Sequence, residues 1–261
     1  MHDRISQYVE DLPLSWQAVT LHQLLTHTSG IPIYTDSPDI PRINRLGASP
    51  RQLLALVRDK PMQFPPGTSL SYCNTGYILL GMAIQAASGQ SYADFIEQHI
   101  FMPLGMRNTG YDFPSKVVPE RAEGYQIKEG KLEHADFLDT SVAWAAGAFY
   151  STIEDLFRWS EALANEKLLS KESLKQMFQV YSETAKDGQH YGYGVVLAEK
   201  FGQPQDYHGG GIHGFATAIQ RHPKSRVSVV VMSNVESIRS WDVATGLASL
   251  LLDEKAPAAG Q

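Results

Sequence analysis

Residues that begin helices recur through the first two thirds of the chain, and short β-branched segments replace them in the last third. At each helix start, a serine or threonine oxygen can accept a hydrogen bond from a free amide of the first turn. The segment from Asn74 to Ser88 is apolar on most faces and ends at Gly89, which predicts a buried helix with a left-handed cap. The other predicted starts are Thr20 with Gln23 in a capping box, Ser49-Pro50, Ser91, and Ser151-Thr152-Ile153-Glu154, which is predicted to be a second capping box.

The last third of the sequence predicts a β-sheet. Segments 193–198, 216–220 and 227–232 are rich in β-branched residues and are separated by Gly, Pro, Asp and Lys, which predicts antiparallel strands. An amphipathic helix is predicted over about 235–252, and 254–261 is predicted to be a frayed tail. Helices beside an antiparallel sheet favour an α+β or α/β sandwich over a doubly wound parallel sheet.

Composition excludes several classes of function. The chain has 22 basic and 28 acidic residues, a formal charge of -6 and no run of Lys or Arg, so nucleic acid is not an expected partner. It contains no apolar stretch of about 18 residues, so no membrane segment is predicted. As written, its start resembles no secretory signal. The single cysteine, Cys73, cannot form an internal disulfide and leaves the redox compartment open.

Three stretches of sequence carry a resemblance to a known family. They are Leu24-Leu25-Thr26-His27-Thr28-Ser29-Gly30-Ile31-Pro32, then Phe64-Pro65-Pro66-Gly67 leading to Tyr72-Cys73-Asn74-Thr75-Gly76-Tyr77, and His208-Gly209-Gly210-Gly211 followed by Gly214-Phe215. In this order they resemble the serine β-lactamase, DD-peptidase and esterase family, closest to its class C-like branch, over nearly the whole chain.

The resemblance implies a β-lactamase/transpeptidase-like α/β (α+β) fold, an antiparallel sheet flanked by helices plus a mostly helical domain. Residues 1–17 and 151–261 would form the sheet domain and residues 18–150 the helical domain. The sheet domain would be incomplete, because the N-terminal strands and the helix that carries the nucleophile are missing. Relatives are often exported, and the compartment of this chain stays open.

In the family, a Tyr-x-Asn motif faces the nucleophile, and Tyr72 and Asn74 match it. The resemblance implies that Tyr72 relays a proton and that Asn74 holds the substrate amide. A phenol with a pKa of about 10 is only about 0.1% ionised at pH 7, so we expect neighbouring cations to lower the pKa of Tyr72. Taken alone, the same residues also fit an ordinary turn before a helix, with Asn74 as its N-cap.

The segment His208-Gly209-Gly210 occupies the place of the family's Lys-Thr-Gly strand motif. Glycines there would let a substrate lie flat against the strand edge, and the resemblance assigns one oxyanion-hole N–H to Gly211. His208 would supply proton transfer or a cation near Tyr72. No cofactor is implied. No metal site is predicted either, because His208 and His213 lack a recognised ligand spacing and a carboxylate or cysteine cluster.

The family's nucleophile lies in a Ser-x-x-Lys motif, in which one helical turn places lysine beside serine. None of the serines in this sequence is followed by lysine at that spacing. Three hypotheses stay open. The chain is a serine hydrolase of an ester, a D-amino acid peptide or a β-lactam whose nucleophile segment lies outside this sequence or comes from another chain. It is a pseudoenzyme that binds peptidoglycan-like peptides or a protein partner. Or it uses Ser29, Ser71 or Cys73 instead, although Ser29 lies in what resembles a structural turn and Cys73 is expected to be a packed thiol.

Overall fold

Helices dominate the first two thirds of the chain in the computed structural model, which describes residues 1–184, 186 and 188–253. The capping box predicted at Thr20 is present, Ser49 forms another, and the helix predicted over Asn74–Ser88 has those bounds, with Gly89 as its left-handed cap. The capping box predicted for Ser151 and Glu154 is wrong, because Thr152 is the N-cap residue and its side chain accepts from the Asp155 N–H. The α-helices are α1 Leu21–Leu25, α2 Ile40–Leu46, α3 Pro50–Ala55, α4 Asn74–Ser88, α5 Tyr92–Ile96, α6 Met102–Leu104, α7 Ile153–Ala164, α8 Lys171–Met177 and α9 Ser240–Asp253. Short 3₁₀ segments span Ile5–Gln7, Tyr34–Asp36, Thr140–Val142 and Trp144–Ala146, and a π-helical segment spans Glu97–Phe101.

Six strands form one antiparallel sheet in the order β10-β9-β8-β7-β6-β5. The strands of this sheet are β5 Ser182–Glu183, β6 Gln189–Tyr191, β7 Val196–Lys200, β8 Gln203–Ile212, β9 Phe215–His222 and β10 Val227–Ser233. Two small two-stranded sheets pair β1 Gly110–Tyr111 with β4 Phe149–Tyr150, and β2 Tyr125–Lys128 with β3 Lys131–His134. The mixed architecture with antiparallel sheets confirms the predicted fold class.

One large core lies in the helical region, around the buried side chains of α4 such as Ile78 and Leu79. Ile5, Val9 and Trp16 are buried in this same core. The first 17 residues, which the sequence-based division assigned to the sheet domain, therefore pack with the helices. Their apolar side chains pack in the core around α4, and their backbone joins α1 through the bond from the Leu21 N–H to the Asp3 carbonyl, at 3.0 Å. A boundary between two domains stays a proposal.

Helices cover the two faces of the sheet at β10. Ala244 and Ala248 of α9 pack on Val227 and Val229, so α9 covers one face. On the other face, Ser160 of α7 contacts Ser228 through a hydroxyl pair 2.7 Å apart. At the end of the described sheet, β10 has a ladder partner on one side, β9.

The chain departs from the predicted elements in two places after residue 200. The pattern of β-branched residues did not predict the first half of strand β8, because its run Gln203-Pro204-Gln205-Asp206 lacks such residues, whereas the resemblance had placed His208-Gly209-Gly210 on a strand. Helix α9 begins at Ser240 rather than near 235, since Val235 instead bridges to Tyr125. The tail predicted over 254–261 lies outside the described residues. Across the residues that are described, no helix is both long enough and apolar enough to cross a membrane.

Candidate active site

Tyr72 lies in the segment that leads into α4, and His27 holds the backbone on either side of it. The Ser71 N–H donates to the His27 carbonyl at 2.9 Å, and the Cys73 N–H donates to His27 Nδ1 at 3.0 Å. The rings of His27 and Tyr72 lie 4.3 Å apart, centroid to centroid. One histidine therefore fixes the position of Tyr72 through both of its neighbours.

His27 takes this position because the chain turns sharply after α1. Its φ of 56° is left-handed, which is uncommon for a residue other than glycine. The residue is only 1% exposed, and burial lowers the pKa of its imidazole to about 3. At neutral pH the ring is therefore uncharged. The turn matches the structural role that the resemblance implied for residues 27–30.

His208 lies on β8 across from Tyr72, and their ring centroids are 6.2 Å apart. Its Nδ1 lies 2.7 Å from the Gly209 carbonyl oxygen, and its Nε2 lies 3.3 Å from the Tyr191 hydroxyl. Burial lowers the pKa of this imidazole as well, although the hydrogen bond to Gly209 opposes the shift. The fold thus brings together Tyr72 and His208, the two residues that the sequence proposed for proton transfer.

Tyr191 joins these two groups, although no sequence motif selects it. The residue is buried at the end of β6, and its hydroxyl lies 3.1 Å from His27 Nε2 as well as 3.3 Å from His208 Nε2. It lies in the run Tyr191-Gly192-Tyr193-Gly194, in which no pattern distinguishes one tyrosine from the other. Only the pairing of β6 with the rest of the sheet reveals its place at the site.

The glycine run after His208 forms an open strand edge. Gly209, Gly210 and Gly211 are all exposed, and they pair with β9 on one side. On the other side, the ladder with β7 ends at the pair of Val196 with Tyr207, so the described strands leave that edge of the run free. A Cβ at Gly211 would meet no atom within 4 Å, which shows that the space beside it is open.

Asn74 and Cys73 complete the Tyr-x-Asn segment. Asn74 is the first residue of α4 and Cys73 is the N-cap residue, so Asn74 does not act as the cap that an ordinary turn would require. Cys73 is buried, its thiol donates to the Ile31 carbonyl at 3.3 Å, and burial raises the pKa of the thiol. A buried thiol held in its neutral form is a poor nucleophile.

The pKa of Tyr72 differs from the expectation. Tyr72 as a residue is 49% exposed, and desolvation of the part that is covered raises the pKa of the phenol, with a smaller contribution from Cys73. The histidines next to it do not supply the expected positive charge, because burial lowers the pKa of both His27 and His208. The cation that would lower the pKa of Tyr72 is not provided by these neighbours.

The structure also gives the positions of two other residues considered in the sequence analysis, Ser29 and His213. Ser29 is 1% exposed and its hydroxyl accepts a hydrogen bond from the Ile31 N–H at 3.3 Å, so it is sequestered from substrate. His213 lies in the turn after β8, where its Nδ1 is 3.2 Å from the Asp136 carbonyl oxygen. Within residues 1–184, 186 and 188–253, His, Cys, Asp and Glu side chains form no group of three or more placed to hold a metal ion.

In this chain, a Tyr-x-Asn segment at the start of a buried helix faces a His-Gly-Gly-Gly strand. This combination places the chain in the class of proteins with a β-lactamase/transpeptidase-like fold. A family model described as Beta-lactamase matches residues 1–251. The chain belongs to this family. Penicillin-binding protein 4* of Bacillus subtilis (strain 168) is 29% identical over 265 residues, which cover 93% of this chain and 56% of the relative. D-aminopeptidase of Gluconobacter oxydans (strain 621H) is 30% identical over 196 residues, which cover 74% of this chain and 36% of the relative.

Solved structures share the fold. A penicillin binding protein from Bacillus halodurans matches with a TM-score of 0.82 at 28% identity, over 95% of this chain and 76% of that one. A D-stereospecific amidohydrolase from Streptomyces sp. matches with a TM-score of 0.81 at 27% identity, over 90% of this chain and 74% of that one. The chain spans about half the length of curated relatives such as penicillin-binding protein 4* and the putative penicillin-binding protein PbpX of Bacillus subtilis (strain 168), at 56% of each.

Proposed function

We propose that this chain carries two parts of a serine hydrolase active site, which acts by acyl transfer on an ester, a D-amino acid peptide or amide, or a β-lactam. The observation that carries the proposal is the approach of Tyr72 to His208, 6.2 Å between ring centroids, beside the open glycine edge of β8. Membership of the Beta-lactamase family supports it. The names of the relatives favour D-amino acid peptides and amides among these substrates.

In this proposal Tyr72 transfers protons between the nucleophile and the leaving group. Because partial burial raises the pKa of its phenol, Tyr72 stays protonated at neutral pH in this chain by itself. A lysine placed one helical turn after the nucleophilic serine would supply the cation that lowers this pKa. His208, whose pKa burial lowers, fits a neutral imidazole that takes part in hydrogen bonding or proton transfer better than it fits a cation.

The open edge of β8 supports the proposed mode of substrate binding. An extended substrate main chain can add to a free strand edge through backbone hydrogen bonds. The run from His208 to Gly211 offers such an edge, and its glycines leave room for the substrate to approach. The Gly211 N–H would donate to the developing oxyanion, and Asn74 would hold the substrate amide.

The proposed nucleophile comes from outside these 261 residues. No serine in the chain has lysine three positions later, and Ser29 and Cys73 are buried. Removal of the nucleophile in serine hydrolases can lower turnover by roughly 10⁶-fold. The 261-residue chain should therefore be inactive until a Ser-x-x-Lys helix joins it.

Exposed apolar groups at β10 fit such an added segment. A groove of about 560 Å³ lies between α7 and β10. Its apolar lining residues are Ile153, Phe157 and Val230, of which Ile153 and Phe157 are each 52% exposed, and its polar ones are Glu154, Arg158 and Ser228. On the opposite face of the sheet, α9 exposes Val243, Leu247, Leu250 and Leu251. We infer that a strand pairs with β10 and that helices cover these two apolar faces, one of them carrying the nucleophile.

The experiment compares this chain with an extended chain that includes the coding sequence upstream of Met1. Each is incubated with a fluorophosphonate and, separately, with a penicillin, and its intact mass is measured. We expect no adduct on the 261-residue chain and one adduct per molecule on the extended chain, at the serine of its Ser-x-x-Lys motif. Tyr72→Phe in the extended chain should slow labelling strongly, whereas Tyr8→Phe, at a surface tyrosine bonded to Asp3, should not.

Two outcomes oppose the proposal. A stoichiometric adduct on the 261-residue chain would show that it holds its own activated nucleophile. An upstream sequence without Ser-x-x-Lys, together with a folded chain that binds peptidoglycan-like peptides without labelling, would establish the pseudoenzyme alternative. The open edge of β8 is the observation that favours this alternative, because it can bind an extended peptide without any chemistry.

A further inference from the structure

His27, Tyr191 and His208 form a continuous row of hydrogen bonds between the two substrate-facing motifs. The row begins at the backbone N–H of Cys73, within the Tyr-x-Asn motif, and ends at the backbone carbonyl of Gly209, within the glycine strand. Its four donor–acceptor distances are 3.0, 3.1, 3.3 and 2.7 Å. The three side chains are thus the physical link between segments that are far apart in the sequence.

The backbone groups at the two ends determine where the protons lie. An amide N–H can only donate, so His27 Nδ1 must accept from Cys73, and the proton of a neutral His27 must be on Nε2. A carbonyl oxygen can only accept, so His208 Nδ1 must carry a proton toward Gly209. A neutral His208 therefore has a bare lone pair on Nε2.

Tyr191 fits between these two fixed ends in one orientation. Its oxygen accepts from His27 Nε2–H, and its O–H donates to the bare Nε2 of His208. All four bonds then point in the same direction along the row, an arrangement in which each bond polarises and strengthens the next. A competing acceptor for the Tyr191 O–H is the hydroxyl of Tyr77, which itself donates to the Leu25 carbonyl at 3.2 Å.

We propose that His27 and Tyr191 are positioning residues, which fix His208 as its Nδ1–H tautomer and hold the Tyr72 segment in register with the glycine strand. Both ring nitrogens of His208 are engaged in this arrangement. His208 can exchange a proton with Tyr72 only after the Tyr191 hydroxyl has turned away, and Tyr77 offers that hydroxyl a second partner. The positioning role rests on the proposed function, whereas the assignment of the tautomers does not.

The test is nitrogen-15 NMR of the 261-residue chain labelled at histidine, at pH 7. We expect His27 to be protonated on Nε2 and His208 on Nδ1, with the Nε2 proton of His27 protected from exchange with solvent. Tyr191→Phe should remove that protection and shift the Nε2 resonance of His208 toward that of an unbonded nitrogen. The matched control is Tyr193→Phe, whose hydroxyl lies 2.9 Å from His22 Nδ1, and it should shift His22 alone.

Two results would overturn the proposal. One is a proton on His208 Nε2 in the unsubstituted chain, a measurement that does not depend on the variants folding. The other is a Tyr191→Phe spectrum in which His27 and His208 are both unchanged, which would mean that the Tyr191 hydroxyl points to Tyr77.

The extended chain separates the positioning role from the proposed function. If it labels, Tyr191→Phe should lower kcat by about tenfold to a hundredfold with little change in KM, and Tyr193→Phe should lower neither. An unchanged kcat in Tyr191→Phe would refute the positioning role while the hydrolase function stands. If the extended chain never labels, the proposed function fails, and the NMR spectra still decide the tautomers.

Discussion

Acidifying the chain from pH 7 to pH 5 should destabilise it through His27. In the unfolded chain this histidine takes up a proton near its ordinary pKa of about 6.5. In the folded chain burial lowers its pKa to about 3, and the residue is only 1% exposed, so solvent screening is negligible. Between these two values the unfolded state binds more protons than the folded state, so stability falls as the pH falls. The loss from this residue amounts to about 2 kcal/mol at pH 5.

The measurement is urea unfolding, followed by circular dichroism, of the unsubstituted chain and of His27→Asn at pH 7, 6 and 5. Asparagine tolerates the left-handed φ of 56°, and its Oδ1 can accept the Cys73 N–H in place of Nδ1. The variant should be less stable at pH 7. The difference in free energy of unfolding between the two proteins should then shrink by about 2 kcal/mol at pH 5, because only the unsubstituted chain loses stability through His27. Burial also lowers the pKa of His22 and His222, which lie outside the row of hydrogen bonds around His27 and contribute the same slope to both proteins.

His99→Asn is the matched control, because it makes the same substitution at an exposed histidine outside the row of hydrogen bonds around His27. It should leave the dependence of stability on pH unchanged. If His27→Asn and the unsubstituted chain lose the same stability between pH 7 and pH 5, then His27 already titrates in the folded state, and the assignment of a buried neutral ring is wrong.

Three further substitutions test the surroundings of the site by thermal or urea unfolding. Gly30→Ala should lower the free energy of unfolding by several kcal/mol, since Gly30 has a φ of 70° and a Cβ there would collide with the Phe64 carbonyl. A variant as stable as the unsubstituted chain would contradict this close approach. Asp155→Asn should lower the free energy of unfolding by about 3 kcal/mol, because the buried carboxylate accepts from the Asn108 N–H and the Thr109 hydroxyl and pairs with Arg158. A loss below about 1 kcal/mol would show that water replaces these bonds. Thr20→Ala should lower the free energy of unfolding by about 1 kcal/mol, because it removes the N-cap of α1. Thr20→Ser should retain most of that stability, because serine also caps helices.

The helical half of the fold could be predicted from local signals. A capping side chain acts on amides two or three residues away, so Thr20 and Ser49 show their function within one turn of sequence. Gly89 ends α4 because it adopts the left-handed cap at a φ of 70° without steric cost. Tyr72 and His208 were found by a resemblance of short motifs, and the structure brings their rings together.

The remaining features depend on contacts between distant residues. Tyr191 enters the site because β6, β7 and β8 pair in one register, and no local pattern encodes that register. The first 17 residues pack into the helical core because Trp16 and Ile5 fit beside α4, a matter of shape that composition does not express. The pKa of Tyr72 is raised because the phenol is partly buried. The sequence motif identifies the residues near Tyr72 but does not show how deeply the phenol is buried, so the direction of this shift could not be predicted.

Within the described part of the chain, β10 has one free edge, and this edge also affects how the chain behaves at high concentration. Its residues Val227 to Val231 read Val-Ser-Val-Val-Val, an uncharged segment without proline or glycine. Strand segments of this composition, when their backbone amides are unpaired, recruit the same segment from other molecules and can grow into cross-β fibrils. If the segment proposed above pairs with β10, it would also shield this edge, and we expect chains without it to aggregate more readily at high concentration.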